Sequence, residues 1–194
     1  MIPGIILAAG ASTRMGKPKA LLTLSDGSTF VQAVTASLID GGVEDVLIVG
    51  RPDDRGLRDE LERLPRTRFV ENARAEEGQL SSVIAGLNAA DRPGVGAVLV
   101  TLVDLPLIKA ASVRTLIDTF LATHAPVART SHRGRHGHPV IFARRVFDEL
   151  RHADPEIGAK SVIRAHQASV LDVEVDDAGV LRDIDTPEDY AGLT

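Results

Sequence analysis

The sequence contains no cysteine. Disulfides, cysteine–zinc sites, iron–sulfur clusters and thiol nucleophiles are thereby excluded. Aromatic residues make up only 3% of the chain, which argues against stacking platforms for single-stranded nucleic acid. No basic block is present: 22 lysines and arginines stand against 27 acidic residues, for a net charge of −5. That balance suits neither a nucleic-acid partner nor an anionic membrane surface. No apolar run approaches the length needed to cross a bilayer. The run Ile5-Ile6-Leu7 ends at Gly10 and is too short for a signal peptide. A cytoplasmic protein without a membrane or nucleic-acid partner is the expectation.

What is present is 194 residues of ordinary apolar content, enough for one well-buried core and short for two. One domain over residues 1–194 is expected. Ile5–Ala9, Val46–Val49, Arg68–Val70 and Val95–Val103 read as short apolar strands, the last apolar almost throughout, as in a strand buried on both faces. Helical spacing links Phe30, Val31, Val34 and Leu38, with Ser28 or Thr29 as N-cap and Gly41 as the stop. Further stripes run through Leu57, Leu61 and Leu64, through Val83, Ile84 and Leu87, and through Val113–Leu121 with Ser112 near its start. Strands at Pro126–Thr130, Val140–Phe142 and Val170–Val175 follow, with helices near Val146–Leu150, Ser161–His166 and after Pro187. Strands alternating with helices predict a mostly parallel sheet covered on both faces. Ligands then bind beyond the carboxyl ends of the strands, so the loops after Ala9, Val70 and Val103 are the places to look.

The first loop is Gly10-Ala-Ser-Thr-Arg14-Met-Gly16-Lys17-Pro-Lys19. Its glycines and small residues let the backbone wrap an anion with inward N–H groups. Arg14, Lys17 and Lys19 gather positive charge in an acidic chain, as a triphosphate requires. A P-loop does not fit: five residues separate the glycines, and Pro18 stands where a metal-binding hydroxyl is needed. The dinucleotide pattern G-x-G-x-x-G is absent. The run Leu7-Ala8-Ala9-Gly10-Ala-Ser-Thr-Arg14-Met-Gly16-Lys-Pro-Lys19 does resemble the signature L-A-[AG]-G-x-S-x-R-M-G-x-x-K of the MobA/MocA-like nucleotidyltransferase family, which includes molybdenum cofactor cytidylyltransferases. The resemblance implies a Rossmann-like three-layer α/β/α sandwich with a mostly parallel, mixed sheet of the nucleotidyltransferase (GT-A-like) type. It implies that Leu7, Ala8, Ala9, Gly10 and Gly16 line the nucleotide, with Arg14 and Lys19 neutralising its charge. Lys17 falls at a variable position.

Three later segments match in order. In Glu71-Asn72…Gly78-Gln79-Leu80-Ser81-Ser82, a serine reads on its own as an N-cap and Gly78 as a turn. The family carries N-x-x-x-x-x-G-[MQ]-x-x-S here, so Asn72, Gly78 and Ser82 are implied to hold base and ribose, while Gln79 stands where many cytidylyltransferases have Met. Asp104-Leu-Pro106 ends the most buried strand. Such an Asp is often a turn former, but the family's D-x-P aspartate binds Mg²⁺. In Asp183-Ile-Asp185-Thr186-Pro187-Glu-Asp189, a helix cap accounts for Thr186 to Asp189. It leaves Asp185 unexplained, and the family pattern D-x-D-T-P-x-D makes it the second metal ligand.

Gly137-His138-Pro139 matches the family's G-H-P, placing His138 on the acceptor side. The bland reading is a loop histidine bonded to backbone. Asp154–Lys160 only weakly echoes a family motif and carries no assigned site.

The implied reaction is attack of an acceptor phosphate on the α-phosphorus of a nucleoside triphosphate, releasing pyrophosphate. Arg14, Lys19 and Asp104 are the catalytic set and Asp104 and Asp185 the ligands of the Mg²⁺ cofactor. Ala9, giving L-A-A-G, leans towards CTP and molybdopterin. GTP with a sugar phosphate or phospholactate is the runner-up. Outside this class stand a non-catalytic nucleotide-binding accessory protein and a chaperone-like partner of a molybdoenzyme.

Overall fold

A computed structural model describes residues 1–10 and 15–193. A seven-stranded mixed sheet has the order β3-β2-β1-β4-β6-β5-β7. The strands are β1 (Gly4–Leu7), β2 (Val46–Gly50), β3 (Thr67–Glu71), β4 (Ala97–Leu102), β5 (Val127–His132), β6 (Arg135–Ala143) and β7 (Val170–Glu174). Strands β1 to β4 run parallel, β6 is antiparallel to β4 and β5, and β7 is parallel to β5. Only β6 therefore opposes the common direction, and β4 is the middle strand.

Alternate residues of the central strands enter two cores. Ile6, Ile48, Leu99 and Ile141 face one layer, which holds α1 (Phe30–Asp40), α2 (Arg55–Leu61) and α4 (Ala110–Thr123). Ile5, Leu47, Val98 and Phe142 face the other, with α3 (Gln79–Ala90), α5 (Phe147–Arg151) and α6 (Lys160–Ala165). Burial on both faces explains why these strands read as continuous apolar runs. The fold is the expected three-layer α/β arrangement. Among the described residues no helix is long and apolar enough to cross a membrane.

Two local expectations change. Residues 133–138 are not a loop. Arg133 and Gly134, both with positive φ, close a β5–β6 hairpin, and Arg135–His138 open β6. Gly137 is needed there for packing: a Cβ on it would lie 2.2 Å from the Val180 carbonyl oxygen. No serine caps α3 either. Gly78, with φ +97°, is the N-cap, while the Ser81 hydroxyl donates to the carbonyls of Arg74 and Gly78.

The C-terminal segment crosses back to β4. Asp177 is buried and accepts from Lys109 N at 2.9 Å, Ser112 Oγ at 2.8 Å and Gly179 N at 2.9 Å. It thus caps α4, whose own N-cap residue Lys109 supplies no side-chain bond. Asp177→Ala strands these donors in the interior. It should cost about 3 kcal/mol, or roughly 6–12 °C in melting temperature, in a thermal unfolding experiment. A shift below 2 °C, on the order of a surface change, would count against the cap. Further on, Ile184 N donates to the Asp104 carbonyl at 2.9 Å, fastening this segment beside the end of β4.

Candidate active site

The parallel strands bring the ends of β1 and β4 to one edge. There a cavity of about 550 Å³ is lined by Leu7, Ala8, Ala9 and Gly10 from β1 and its exit, by Lys19, by Gly78 and Ser82 from α3 and its cap, and by Asp104 and Asp185. These residues come from four separated motifs. Arg14 lies outside the described residues. Gly16 takes a positive φ of 65° and is not part of the cavity lining.

Lys19, in a 3-10 turn spanning Lys19–Leu21, joins the two acids. Its Nζ donates to Asp104 Oδ2 at 2.8 Å and to Asp185 Oδ1. All three side chains are largely buried. Burial pulls the Lys19 pKa down, but the hydrogen bonds and charges of Asp104 and Asp185 together outweigh it, so the pKa stands above its ordinary value. Lys19 is therefore an ammonium at neutral pH.

Asp185 is aimed by its neighbours. Thr186, Pro187 and Asp189 start α7 (Pro187–Ala191) with a capping box, as the sequence implied. Asp189 Oδ2 also accepts from Asp185 N at 3.2 Å. The Thr186 side chain and the backbone N–H of Thr186 hold the Asp189 carboxyl below the usual carboxylate range. Tyr190 then packs edge-on to Phe30 and donates to the Thr23 carbonyl at 2.7 Å, docking α7 on the start of α1.

The donor set fits a hard divalent cation. Mg²⁺ is commonly held by one or two carboxylates, with phosphate and water completing its shell. Asp104 and Asp185 converge on one cation, the Lys19 ammonium. The other Asp104 oxygen, Oδ1, is buried and has no hydrogen-bond partner among the described residues. A buried carboxylate oxygen without a donor is costly unless a cation meets it. No cluster of three or more His, Cys, Asp or Glu side chains able to hold a metal occurs among the described residues. An all-protein cage, such as structural zinc needs, is therefore not what these residues build.

Asn72 sits behind the cavity wall rather than on it. It is buried, and its Nδ2 donates to Ser81 Oγ at 2.8 Å and Ser82 Oγ at 2.9 Å, while its Oδ1 accepts from Arg74 N at 3.0 Å. It orders the turn that carries Gly78 and Ser82.

A second cavity of about 500 Å³ adjoins the first and shares Leu7, Gln79 and Leu102 with it. Its floor is apolar, with Val83, Val100, Val140 and Phe142. His138 lies here, because antiparallel β6 brings its N-terminal half to the edge where β4 ends. Burial lowers the His138 pKa, against the raising influence of the Val100 carbonyl, Asp104 and Asp183, so the ring is neutral at pH 7. Its Nδ1 lies 3.5 Å from the Val100 oxygen. Sequence reading passed over Lys160 and Arg164, which line this cavity. The Asp154–Lys160 echo was the available signal for Lys160. Arg51 and Glu76 in the first cavity were also passed over, and no motif marks them.

Residues 4–170 match the family model for the MobA-like NTP transferase domain. The chain belongs to this nucleotidyltransferase family. Over 96% of its length it is 29% identical to purine catabolism protein PucB of Bacillus subtilis, covering 93% of that protein. It is 37% identical to a probable molybdenum cofactor guanylyltransferase of Opitutus terrae over 57% of this chain and 51% of that one. Among solved structures, Rv0371c of Mycobacterium tuberculosis superposes with a TM-score of 0.84 at 27% identity, covering 100% of this chain and 97% of that one. A complex of Rv0371c with manganese superposes at 0.80, again at 27% identity, covering 99% and 96%.

Proposed function

We propose that this MobA-like protein transfers a nucleoside monophosphate from a nucleoside triphosphate to a small phosphorylated acceptor, with release of pyrophosphate. CTP and molybdopterin are the favoured pair, on the resemblance of Leu7–Gly10 to L-A-A-G sequences. GTP is the second reading, favoured by the relative named a guanylyltransferase. The observation that carries the proposal is the meeting of Asp104, Asp185 and Lys19 in the first cavity, which adjoins the second along Leu7, Gln79 and Leu102.

In this reading the triphosphate occupies the first cavity and the acceptor the second. An oxygen of the acceptor phosphate attacks the α-phosphorus. The bond from the α-phosphorus to the bridging β-oxygen breaks, and pyrophosphate leaves with the electron pair. The nucleophile is already ionised at neutral pH, so no general base is needed. Asp104 and Asp185 would hold Mg²⁺, which when bound neutralises charge on the reacting phosphate. Lys19 and Arg14 balance the charge of the departing pyrophosphate. Neutral His138, with Nδ1–H turned to the Val100 carbonyl, offers Nε2 as an acceptor to a hydroxyl or amine of the bound molecule.

The test is pyrophosphate release with Mg²⁺, using each of four nucleoside triphosphates against molybdopterin, phospholactate and sugar phosphates. Release with CTP and molybdopterin is expected. Triphosphate binding without release from any pair would instead indicate a non-catalytic nucleotide-binding protein.

A further inference from the structure

The first cavity has two chemically different ends. Lys19, Asp104 and Asp185 form one, at the exit of β4. Arg51 and Glu76 belong to the other. Arg51 follows β2, which lies across β1 from β4, and Glu76 stands in the 3-10 turn Ala75–Glu77 ahead of α3. Both line the cavity.

Arg51 is half-buried, and its Nε donates to the Ala9 carbonyl at 3.0 Å. That bond orients the guanidinium at the exit of β1. Among the described residues its two terminal nitrogens make no hydrogen bond, and Glu76 makes no side-chain hydrogen bond or ion pair. The cavity thus presents a planar fork of N–H donors and a separate carboxylate acceptor, neither of them engaged with the other.

The geometry points to Arg51 and Glu76 as the pair that reads the nucleotide base, selecting bases that carry both a carbonyl oxygen and an exocyclic amino group. This rests on the proposed triphosphate site. A guanidinium only donates and a carboxylate only accepts. Cytosine meets both, through O2 and N3 on one side and its amino group on the other. Guanine does so with O6 and N7 against its N1–H and amino group. Adenine has no carbonyl for the fork. Uracil has no amino group, and its single imide N–H is flanked by two carbonyl oxygens that repel a carboxylate. The phosphates are placed elsewhere by Lys19 and the two aspartates, so the Arg51 end is left for the nucleoside.

The test is the dissociation constant of each of CTP, GTP, UTP and ATP, measured by calorimetry on the full chain with Mg²⁺, for the wild type, Arg51→Ala, Arg51→Lys and Glu76→Ala. The wild type should bind CTP or GTP at least about tenfold more tightly than UTP and ATP. Each variant should shrink that ratio about fivefold or more, with UTP and ATP changed less than about twofold. Arg51→Lys keeps the charge but not the fork, so it should lose discrimination as Arg51→Ala does, even should the alanine variant fold poorly. A uniform weakening of all four nucleotides, or a wild type that prefers UTP or ATP, would overturn base reading and leave Arg51 as a brace for Ala9. Failure of the folded wild type to bind any of the four would overturn both this inference and the proposed function.

Discussion

Asp104→Asn is expected to lower turnover by about a thousandfold, near 4 kcal/mol of transition-state stabilisation, while leaving the fold in place. Asn keeps the shape of the side chain and one acceptor oxygen. It removes the negative charge that, with Asp185, draws a cation to the end of β4. The backbone at this point is fixed independently of the side chain, since the Asp104 carbonyl accepts from Ile184 N at 2.9 Å. The loss should therefore appear in kcat with little change in melting temperature. A variant within tenfold of wild-type activity would remove Asp104 from the metal and catalytic assignments. A variant that fails to fold would contradict that independence and give the Asp104 carboxylate a structural part through its bond to Lys19.

Lys19→Ala should act on both triphosphate use and fold stability. A fall of about a hundredfold in kcat/KM for the triphosphate is expected, from loss of one buried cation facing charged oxygens. The bonds that Asp104 and Asp185 each accept from Lys19 are lost, and the variant should be less heat-stable than wild type. Divalent metal should restore more stability to the variant than it adds to wild type. Because the Lys19 pKa is raised in the folded protein, the stability its pairing supplies is fully present below the ordinary lysine pKa. It is lost only as pH rises through the raised value. The comparison at neutral pH therefore sees the whole effect. Unchanged triphosphate kinetics would remove Lys19 from the leaving-group role.

These expectations rest on a site that was largely visible in the sequence, for a physical reason. A parallel sheet buried on both faces announces its strands as apolar runs, and the residues that follow those runs gather at one edge. Leu7–Gly10, Lys19, Gly78, Ser82, Asp104 and Asp185 line one cavity because each follows or joins such a strand end, or is carried there by the crossing segment. What sequence reading could not resolve depends on contacts across the fold. The β5–β6 hairpin turns on Arg133 in a left-handed conformation, which nothing in a residue's identity demands. Asp177 caps a helix that begins 67 residues before it, from Lys109 N to Ser112 Oγ, a link that no local spacing reveals. Asn72, at the exit of β3, braces the serines at the start of α3, a contact its motif does not reveal. Arg51 and Glu76 belong to no motif, and they share a cavity only because β2 and the turn before α3 end beside β1. Lys160 and Arg164 share one wall because they are four residues apart on α6.

In the proposed reaction this cavity cleaves the triphosphate between its α- and β-phosphorus. Phosphorus NMR of the complete reaction tests it most directly, with the wild-type chain, Mg²⁺, CTP and molybdopterin. Pyrophosphate is expected, together with a new diphosphate linkage joining the nucleoside monophosphate to the acceptor. Formation of CDP with inorganic phosphate or a doubly phosphorylated acceptor would place the cut at the γ-phosphorus and contradict it.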